Sequence, residues 1–403
     1  MHVSRMQQID YWVGVPLCFL VSLWHRLCSF FSKAREVKPQ KIMFIELSEM
    51  GSAIIAYSTL VKAKELFPGA ELYFLVFRKN RESVDVLNVI PSENVIVIGE
   101  KNFFQFAFET LVALIRMRRL GIDTCVDMEL FSRCTALLGY LSGAKNRVGY
   151  DQYTGEGLYR GTFLTHRVMY NSHQHMAVNF LALLYALVAE KTERPLLKRN
   201  LEGEALPLPR FVGSAVEEQR IDEILSTHKV PRDGHYVVVN PDPGLLPLRG
   251  WPLQNFASVC KKLCELSPNI VIVAVGLKNS RPIVEQVLKE LPAGRAIDLT
   301  GATKTLRELM VLLCRSRLLL TNDSGPAHFA ALTPVKSIVL FGPETPLLYA
   351  PLSDACHSIT ANLSCSPCFA AQNHRRSSCT NNICMQAISV EKVLSTARVC
   401  LGI

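Results

Sequence analysis

A buried strand leads directly into a helix within residues 318–332, LLLTNDSGPAHFAAL. The apolar start is typical of a strand in a parallel sheet, and Ser324 and Pro326 are residues that favour the beginning of a helix. The free N–H groups of such a first turn attract anions, so the junction predicts a phosphate-binding site in which His328 donates to a phosphate oxygen. The alternative is an ordinary capped helix with a core-facing His328.

The same alternation of strand and helix extends through both halves of the chain. Buried strands are predicted at residues 41–47, 71–77, 95–98 and 124–126, and again at 236–239, 270–275, 318–321 and 337–341. Helices are predicted between them. This pattern indicates an α/β protein with two doubly wound parallel sheets, in which two Rossmann-like domains face a cleft.

The domain boundaries follow from changes in composition along the chain. Residues 1–40 are predicted to be a membrane-associating helix with a basic linker, and residues 41–190 an N-terminal Rossmann-like domain. Residues 191–233, rich in proline and charge, are predicted to be a linker region. Residues 234–403 are then a C-terminal Rossmann-like domain with a cysteine-rich loop at 365–384.

Composition narrows the classes of partner. The 403 residues are 49% hydrophobic and 20% charged, which is typical of a globular protein. The formal net charge of +9 favours anionic partners such as nucleotide phosphates or an acidic membrane surface. Because the sequence contains neither a helix-turn-helix pattern nor an RNA-binding aromatic signature, no nucleic-acid partner is expected.

The N-terminal segment contains an apolar run at residues 11–24, YWVGVPLCFLVSLW. Asp10 precedes this run and basic residues follow it, which is the reverse of a signal peptide. The run is shorter than the roughly 20 residues that span a bilayer, so a helix lying on an anionic membrane surface is expected. This predicts a cytoplasmic protein that is peripheral on the inner membrane. A helix packed on the protein's own surface is the alternative.

Four cysteines lie close together near the C-terminus, while the other nine are scattered among apolar residues as buried thiols would be. Paired cysteines at this spacing predict a structural zinc ion, with reduced thiols or a redox pair as the alternatives. The four candidate ligands are Cys365, Cys368, Cys379 and Cys384.

Several motifs in the same order resemble one enzyme family. The segment TNDSGPAHFAAL is followed by IVLFGPETP at residues 338–346 and preceded by RGWP at 249–252. Residues 42–60 and 67–76 match the family's N-terminal strand, loop and helix and its FPGAELYFLV-type stretch. Together these motifs resemble the ADP-heptose:lipopolysaccharide heptosyltransferases, glycosyltransferase family 9. The resemblance implies an inverting GT-B enzyme that needs no catalytic metal.

The resemblance also implies roles for particular residues. Arg249, the basic residue before Trp-Pro, would neutralise charge developing on the leaving diphosphate. ADP-heptose is the first donor to consider, and a lipid-linked glycan such as lipopolysaccharide is the expected acceptor. The expected donor-binding residues are Asp323, Ser324, Gly325, His328, Gly51, Ser52 and Glu344.

One departure from the family affects the catalytic base. The family's Gly-Asp pair is replaced by Gly51-Ser52, and a serine alone cannot act as a base at neutral pH. Glu49 in the same loop is the first replacement considered, and Asp127 or Glu129 after the fourth strand are the others. The lost aspartate keeps open a catalytically inactive nucleotide-sugar-binding scaffold, and the shared architecture keeps open a nucleotide-sugar epimerase.

The N-terminal half is expected to bind the acceptor, because this is its role in related two-domain enzymes. Its arginines would suit a phosphorylated or carboxylated glycolipid. The candidate acceptor-binding residues are Arg133, Arg147 and His175.

Overall fold

A computed structural model describes residues 3–31, 37–152, 158–190, 193–231 and 234–403. The chain forms two compact units. The first comprises Met1–Pro207 together with Ala371–Arg375, and the second comprises Leu208–Ala370 together with Arg376–Ile403. A short segment of the cysteine-rich loop therefore belongs to the first unit.

Within its described residues, the first unit contains a six-stranded parallel sheet in the order β3-β2-β1-β4-β5-β6. The predicted strands β1 to β4 are confirmed, and β1 is central because Ile42 is in register with both Leu72 and Thr124. The strands are β1 (Lys41–Ile45), β2 (Glu71–Phe77), β3 (Val95–Ile98), β4 (Thr124–Asp127), β5 (Asn146–Tyr150) and β6 (His166–Val168).

Helices connect these strands and cover the sheet. The helix α6 runs from its cap at Asn102 to Gly121, whose φ of 70° is the left-handed conformation that favours glycine at a helix end. The helices of the first unit are α1 (Val3–Trp12), α2 (Gly14–Phe31), α3 (Met50–Ile55), α4 (Tyr57–Leu66), α5 (Arg81–Asp85), α6 (Phe103–Leu120), α7 (Arg133–Leu141) and α8 (Met176–Tyr185).

The N-terminal helices α1 and α2 make a helical stretch of 25 residues, Met6–Phe30, whose most apolar part has a mean hydropathy of 1.5. This helical stretch is longer than the apolar run predicted at residues 11–24. By length and composition alone, it is long enough to cross a membrane. Part of it packs on the first unit, since Cys18 is buried in a small cluster with Ala136 and Phe163. Most of its remaining large apolar side chains are exposed.

The second unit repeats the architecture, with a parallel sheet of order β12-β11-β10-β7-β8-β9 within the residues described. The predicted strands at β7, β8, β10 and β11 are confirmed. The strands are β7 (Tyr236–Asn240), β8 (Val271–Ala274), β9 (Ala296–Asp298), β10 (Leu318–Asn322), β11 (Lys336–Leu340) and β12 (Cys356–Ile359).

The helices of the second unit include one that the linker prediction did not anticipate. α9 lies inside residues 191–233 and begins with a capping box, in which Ser214 and Glu217 bond each other's backbone N–H groups. The helices are α9 (Ala215–Thr227), α10 (Leu253–Leu266), α11 (Arg281–Leu288), α12 (Leu306–Cys314), α13 (Gly325–Ala330), α14 (Pro346–Tyr349), α15 (Ile383–Gln386) and α16 (Val390–Leu401).

Candidate active site

The loop between β1 and α3 carries the first group of candidate residues. β1 and β4 are neighbours, so the residues that follow them meet at one edge of the sheet. There the Glu129 carboxylate accepts the backbone N–H groups of Leu47 and Ser48, at 2.8 and 2.9 Å. The predicted base candidate Glu129 therefore holds this loop in place.

Glu49 lies in an extended conformation at the residue before α3. Its carboxylate accepts a hydrogen bond from Ser52 Oγ at 3.1 Å and forms an ion pair with Arg375. The Glu49 side chain is 37% exposed, so a substrate hydroxyl can reach it. The serine that replaces the family's aspartate thus directly contacts the carboxylate proposed to take over its role.

Arg375 comes from the segment Ala371–Arg375, more than 300 residues from the loop that it contacts. Its side chain is only 14% exposed. Burial lowers the pKa of the Arg375 guanidinium to about 10, and the nearby Glu46 carboxyl opposes that change. No sequence signal indicated that a residue of the cysteine-rich loop would reach this site.

Glu46 is a second residue that the sequence analysis missed. It is buried directly after β1, and burial raises the pKa of its carboxyl well above the ordinary value, with Glu129 adding to the effect. The signal was available, because an acidic residue at the carboxyl end of an apolar strand lies at the edge where sites form in such sheets. It was instead included in the predicted strand.

Asp127 ends β4 and is buried in an ion pair with Arg160. The same guanidinium also donates to Thr135 Oγ1 at 3.2 Å. Burial raises the pKa of the Asp127 carboxyl, and the Arg160 charge opposes that rise. Because Asp127 is enclosed and paired, Glu49 is better placed than Asp127 to meet a substrate.

The three candidate acceptor residues all make contacts inside the first unit. Arg133 is buried and pairs with Asp10 at 3.1 Å, while Arg147 donates to the backbone carbonyls of Ala144 and Phe163. His175 Nδ1 accepts the N–H of Ala177 at the start of α8. These contacts give each residue a structural role, and acceptor binding by them stays a prediction.

In the second unit, the predicted catalytic residue Arg249 and the predicted donor-binding residues Asp323 and Glu344 come together at the carboxyl ends of β10 and β11. Arg249 Nε lies 3.2 Å from Asp323 Oδ2, and Arg249 Nη2 lies 3.5 Å from Glu344 Oε2. All three side chains are at most 15% exposed. Asp323 and Glu344 lie 74 and 95 positions from Arg249 in the sequence, yet both contact its guanidinium.

The element before Trp-Pro is fixed by backbone and side-chain hydrogen bonds. Trp251 N donates to Asn322 Oδ1 at 3.0 Å, and the buried Trp251 indole donates to Ile388 O at 3.0 Å. Asn322 also donates to Pro241 O. Since Asn322 ends β10, these bonds hold Arg249 beside the strand that carries Asp323.

The strand-to-helix junction departs in one detail from the predicted capping. Ser324 occupies the N-cap position, but its hydroxyl lies 3.1 Å from Thr321 Oγ1 and caps no helix N–H. The helix α13 begins at Gly325, one residue before the proline, and His328 is buried within it. The predicted donor residues Gly51 and Ser52 belong to α3 of the first unit.

Burial controls the charge of this cluster. It raises the pKa of the Glu344 carboxyl to about 8 and raises the pKa of Asp323, while Arg249 opposes both changes. Arg249 Nε and Asp323 Oδ2 are buried and face each other as an ion pair at 3.2 Å, but among the described residues neither atom makes a hydrogen bond. Buried polar atoms without hydrogen bonds are uncommon, and here they mark a position suited to a polar ligand.

The side chains of the four C-terminal cysteines are not arranged as the ligands of one metal ion. In the ranges that the structure covers, no three His, Cys, Asp or Glu side chains are grouped as a metal ion would require. Cys365 and Cys379 are exposed, whereas Cys384 is buried beside Gly342. This conformation does not fit a zinc ion, and zinc binding stays a prediction for metal analysis.

Two units, each with a parallel Rossmann-like sheet, are the architecture of GT-B enzymes. The chain belongs to glycosyltransferase family 9 (heptosyltransferase), whose family model matches residues 130–378. The predicted family, fold class and enzyme class are thereby confirmed.

Individual relatives agree with this assignment. Lipopolysaccharide core heptosyltransferase OpsX of Haemophilus influenzae is 21% identical over 78% of this chain and 83% of its own. Lipooligosaccharide heptosyltransferase 2 of the same organism is 30% identical, but the match spans only 27% of this chain and 31% of that relative. The structure of the ADP-heptose lps heptosyltransferase II of Escherichia coli superposes with a TM-score of 0.67 at 19% identity, covering 90% of this chain and 98% of that one.

Proposed function

We propose that this glycosyltransferase moves a sugar from a nucleotide diphosphate sugar onto a lipopolysaccharide or other envelope glycan, with inversion at the anomeric carbon. ADP-heptose is the first donor to test, because the similar Escherichia coli enzyme is described as an ADP-heptose transferase. The acceptor class is supported by the OpsX relative, which is described as acting on the lipopolysaccharide core.

The observation that carries the donor proposal is the buried pair of Arg249 and Asp323. Arg249 Nε and Asp323 Oδ2 lie 3.2 Å apart as an ion pair, but neither atom makes a hydrogen bond to the residues described. A nucleotide sugar offers both chemistries that they need: phosphate oxygens accept from a guanidinium, and sugar hydroxyls donate to a carboxylate. A bound donor would therefore satisfy both atoms together.

The proposed reaction combines transfer of the sugar with transfer of one proton. The acceptor oxygen bonds to the anomeric carbon as the bond from that carbon to the diphosphate breaks, and the electron pair leaves with the diphosphate. Arg249 would stabilise that negative charge, and Glu49 would take the proton of the acceptor hydroxyl. The exposure of Glu49 and its contact with Ser52 support this assignment.

The test is an assay of the full chain with ADP-heptose, UDP-sugars and a lipid A-core acceptor, in which products are identified by mass spectrometry and anomeric configuration by NMR. Transferred sugar of inverted configuration supports the proposal. An epimerised donor without transfer would point to an epimerase. Donor binding without turnover would point to an inactive nucleotide-sugar-binding protein.

We also propose a peripheral location on the cytoplasmic face of the inner membrane, where a lipid-linked acceptor is accessible. The support is the exposed apolar side of α1 and α2, which includes Trp12, Phe19 and Trp24. Packing of Cys18 against the first unit favours a helix that lies along the membrane surface over one that spans it.

A further inference from the structure

The helix α6 has an unusual outer surface for a soluble protein. Its inner side buries Ala113 and Met117 against the sheet. Its outer side carries a stripe of apolar residues in which Phe104 and Phe108 are 83% and 67% exposed. We define this α6 stripe as Phe104, Phe108, Leu111, Val112 and Ile115, residues spaced so that they lie along one side of a helix.

This pattern differs from the normal amphipathic design, in which the solvent side of a helix is polar. The surface helix α9, for example, pairs Arg220 with Glu223 at its exposed side. The acidic residue of α6, Glu109, is bound to Arg78 and to the N–H of Gly99, away from the α6 stripe. A contiguous exposed apolar surface of this kind marks a contact with a partner or a membrane.

The α6 stripe lies on the same side of the sheet as the N-terminal helices. α6 and α7 connect β3 to β4 and β4 to β5, crossovers in one direction along the sheet, so right-handed connections put both helices on one face. Arg118 of α6 donates to Leu141 O at the end of α7. On that face, Met6 of α1 and Phe106 of α6 pack against the same buried cluster.

The order of helices on this face follows from their contacts with α7. Cys18 of α2 packs near Ala136 of α7, and the His25 ring contacts the Tyr140 ring at 5.5 Å. α2 therefore runs parallel to α7, and α7 lies between α2 and α6. The exposed apolar residues of α2 and the α6 stripe therefore belong to one layer of helices and lie on either side of α7.

The charge of the same layer favours an anionic partner. Exposed basic residues cluster where these helices end, whereas the nearby Asp123 is occupied by the backbone N–H groups of Gln40 and Lys41. Each such base adds electrostatic attraction to an anionic bilayer. The exposed bases are Arg26, Arg116, Arg118, Arg119 and Lys145.

We infer that the α6 stripe is a second membrane-docking element, which inserts into the headgroup region of an anionic bilayer beside the N-terminal helices. This extends the membrane location proposed above from one attachment to two. Two separated apolar elements with bases at one end fix the orientation of the first unit on the bilayer, which a single helix would leave free to rotate.

The test is sedimentation of the full chain with vesicles of phosphatidylcholine, with and without phosphatidylglycerol, at low and moderate salt. Phe104→Ser/Phe108→Ser should reduce the partition coefficient by about tenfold or more, since two exposed rings lose their transfer into the bilayer. Arg116→Gln/Arg119→Gln should weaken binding only to anionic vesicles and chiefly at low salt.

The matched control is Val212→Ser/Val216→Ser, which removes two similarly exposed apolar side chains from the second unit and should leave binding unchanged. Phe19→Ser/Trp24→Ser tests the N-terminal helices separately. Circular dichroism melts must show that every variant is folded, which the exposure of these positions makes the expected result.

Two outcomes would overturn the inference. Vesicle binding by Phe104→Ser/Phe108→Ser equal to that of the unmodified chain would show that the α6 stripe does not meet the bilayer, whether or not Phe19→Ser/Trp24→Ser loses binding. A sedimentation coefficient that falls in the α6 variant, with unchanged vesicle binding, would assign the stripe to a second copy of the chain. Neither result depends on sugar transfer, so the proposed reaction stands or fails separately.

Discussion

Replacement of Glu49 by glutamine tests the assignment of the base. The amide of Glu49→Gln can still accept the Ser52 hydrogen bond, but it cannot pair with Arg375 or take a proton. The lost pair is partly exposed, so unfolding should become easier by only about 1 kcal/mol. Loss of a positioned base should instead reduce turnover by about 10²–10⁴-fold, equivalent to roughly 3–5 kcal/mol of activation free energy.

The assay compares kcat and kcat/KM across pH with thermal unfolding of the same samples. If Glu49 is the base, the acidic limb of the pH profile should disappear in Glu49→Gln. Arg375→Gln is the matched control, because it removes the same ion pair but keeps the carboxylate. It should cost similar stability and less than about tenfold in turnover.

Equal turnover losses in the two variants would refute this reasoning, because the ion pair and not the proton acceptor would then matter. Near-normal turnover in Glu49→Gln would also refute it and would direct the same test to Glu129 and Asp127. Ser52→Asp, which restores the family's aspartate, should recover part of the activity that Glu49→Gln loses.

Three further predictions concern the second unit. Asp323→Ala and His328→Ala should each strongly weaken donor binding while the fold is kept, and unchanged affinity in calorimetry would exclude this donor site. Glu344, whose pKa is about 8 when folded, contributes stability that is complete below its unfolded pKa of about 4.3 and is lost as pH rises through 8, so Glu344→Gln should flatten the fall of the melting temperature between pH 5 and 8. A melting profile that keeps the same slope would show that another group is responsible. If the four C-terminal cysteines close around a zinc ion, metal analysis of reduced protein should find about one zinc per chain, lost in Cys365→Ser/Cys368→Ser. Zinc-free protein of full stability would contradict the zinc prediction and agree with the open arrangement of these cysteines.

The sequence was most informative where local patterns determine structure. β1, β2, β10 and β11 are continuous apolar runs, and such runs identify buried parallel strands. β5 was missed because its sequence, NRVGY, mixes charged and small residues with apolar ones. α9 was missed because the prolines before it suggested a linker, although its Ser214–Glu217 capping box was visible.

The residues of the candidate site were likewise predictable only in part. Arg249, Asp323 and Glu344 were predicted from motifs, and the structure brings them together around one guanidinium. Arg375 could not be predicted, because its contact with Glu49 depends on how a distant loop folds back. Arg147 was expected to bind the acceptor, but the sequence alone cannot show that its guanidinium donates hydrogen bonds to backbone carbonyls.

The carboxylate of Asp10 has a consequence for protein production. It accepts the N–H groups of Arg133 and Cys134 at the start of α7 and pairs with the buried Arg133 guanidinium. A shortened protein that lacks the apolar N-terminal helices would keep the Ser132 cap of α7. It would nevertheless leave the N–H groups of Arg133 and Cys134 without their acceptor and the buried Arg133 guanidinium without its counter-ion, and the unpaired buried charge alone costs several kcal/mol. Point changes at Trp12, Phe19 and Trp24 are therefore the safer route to a soluble sample, since they remove the apolar surface and keep Asp10 in place.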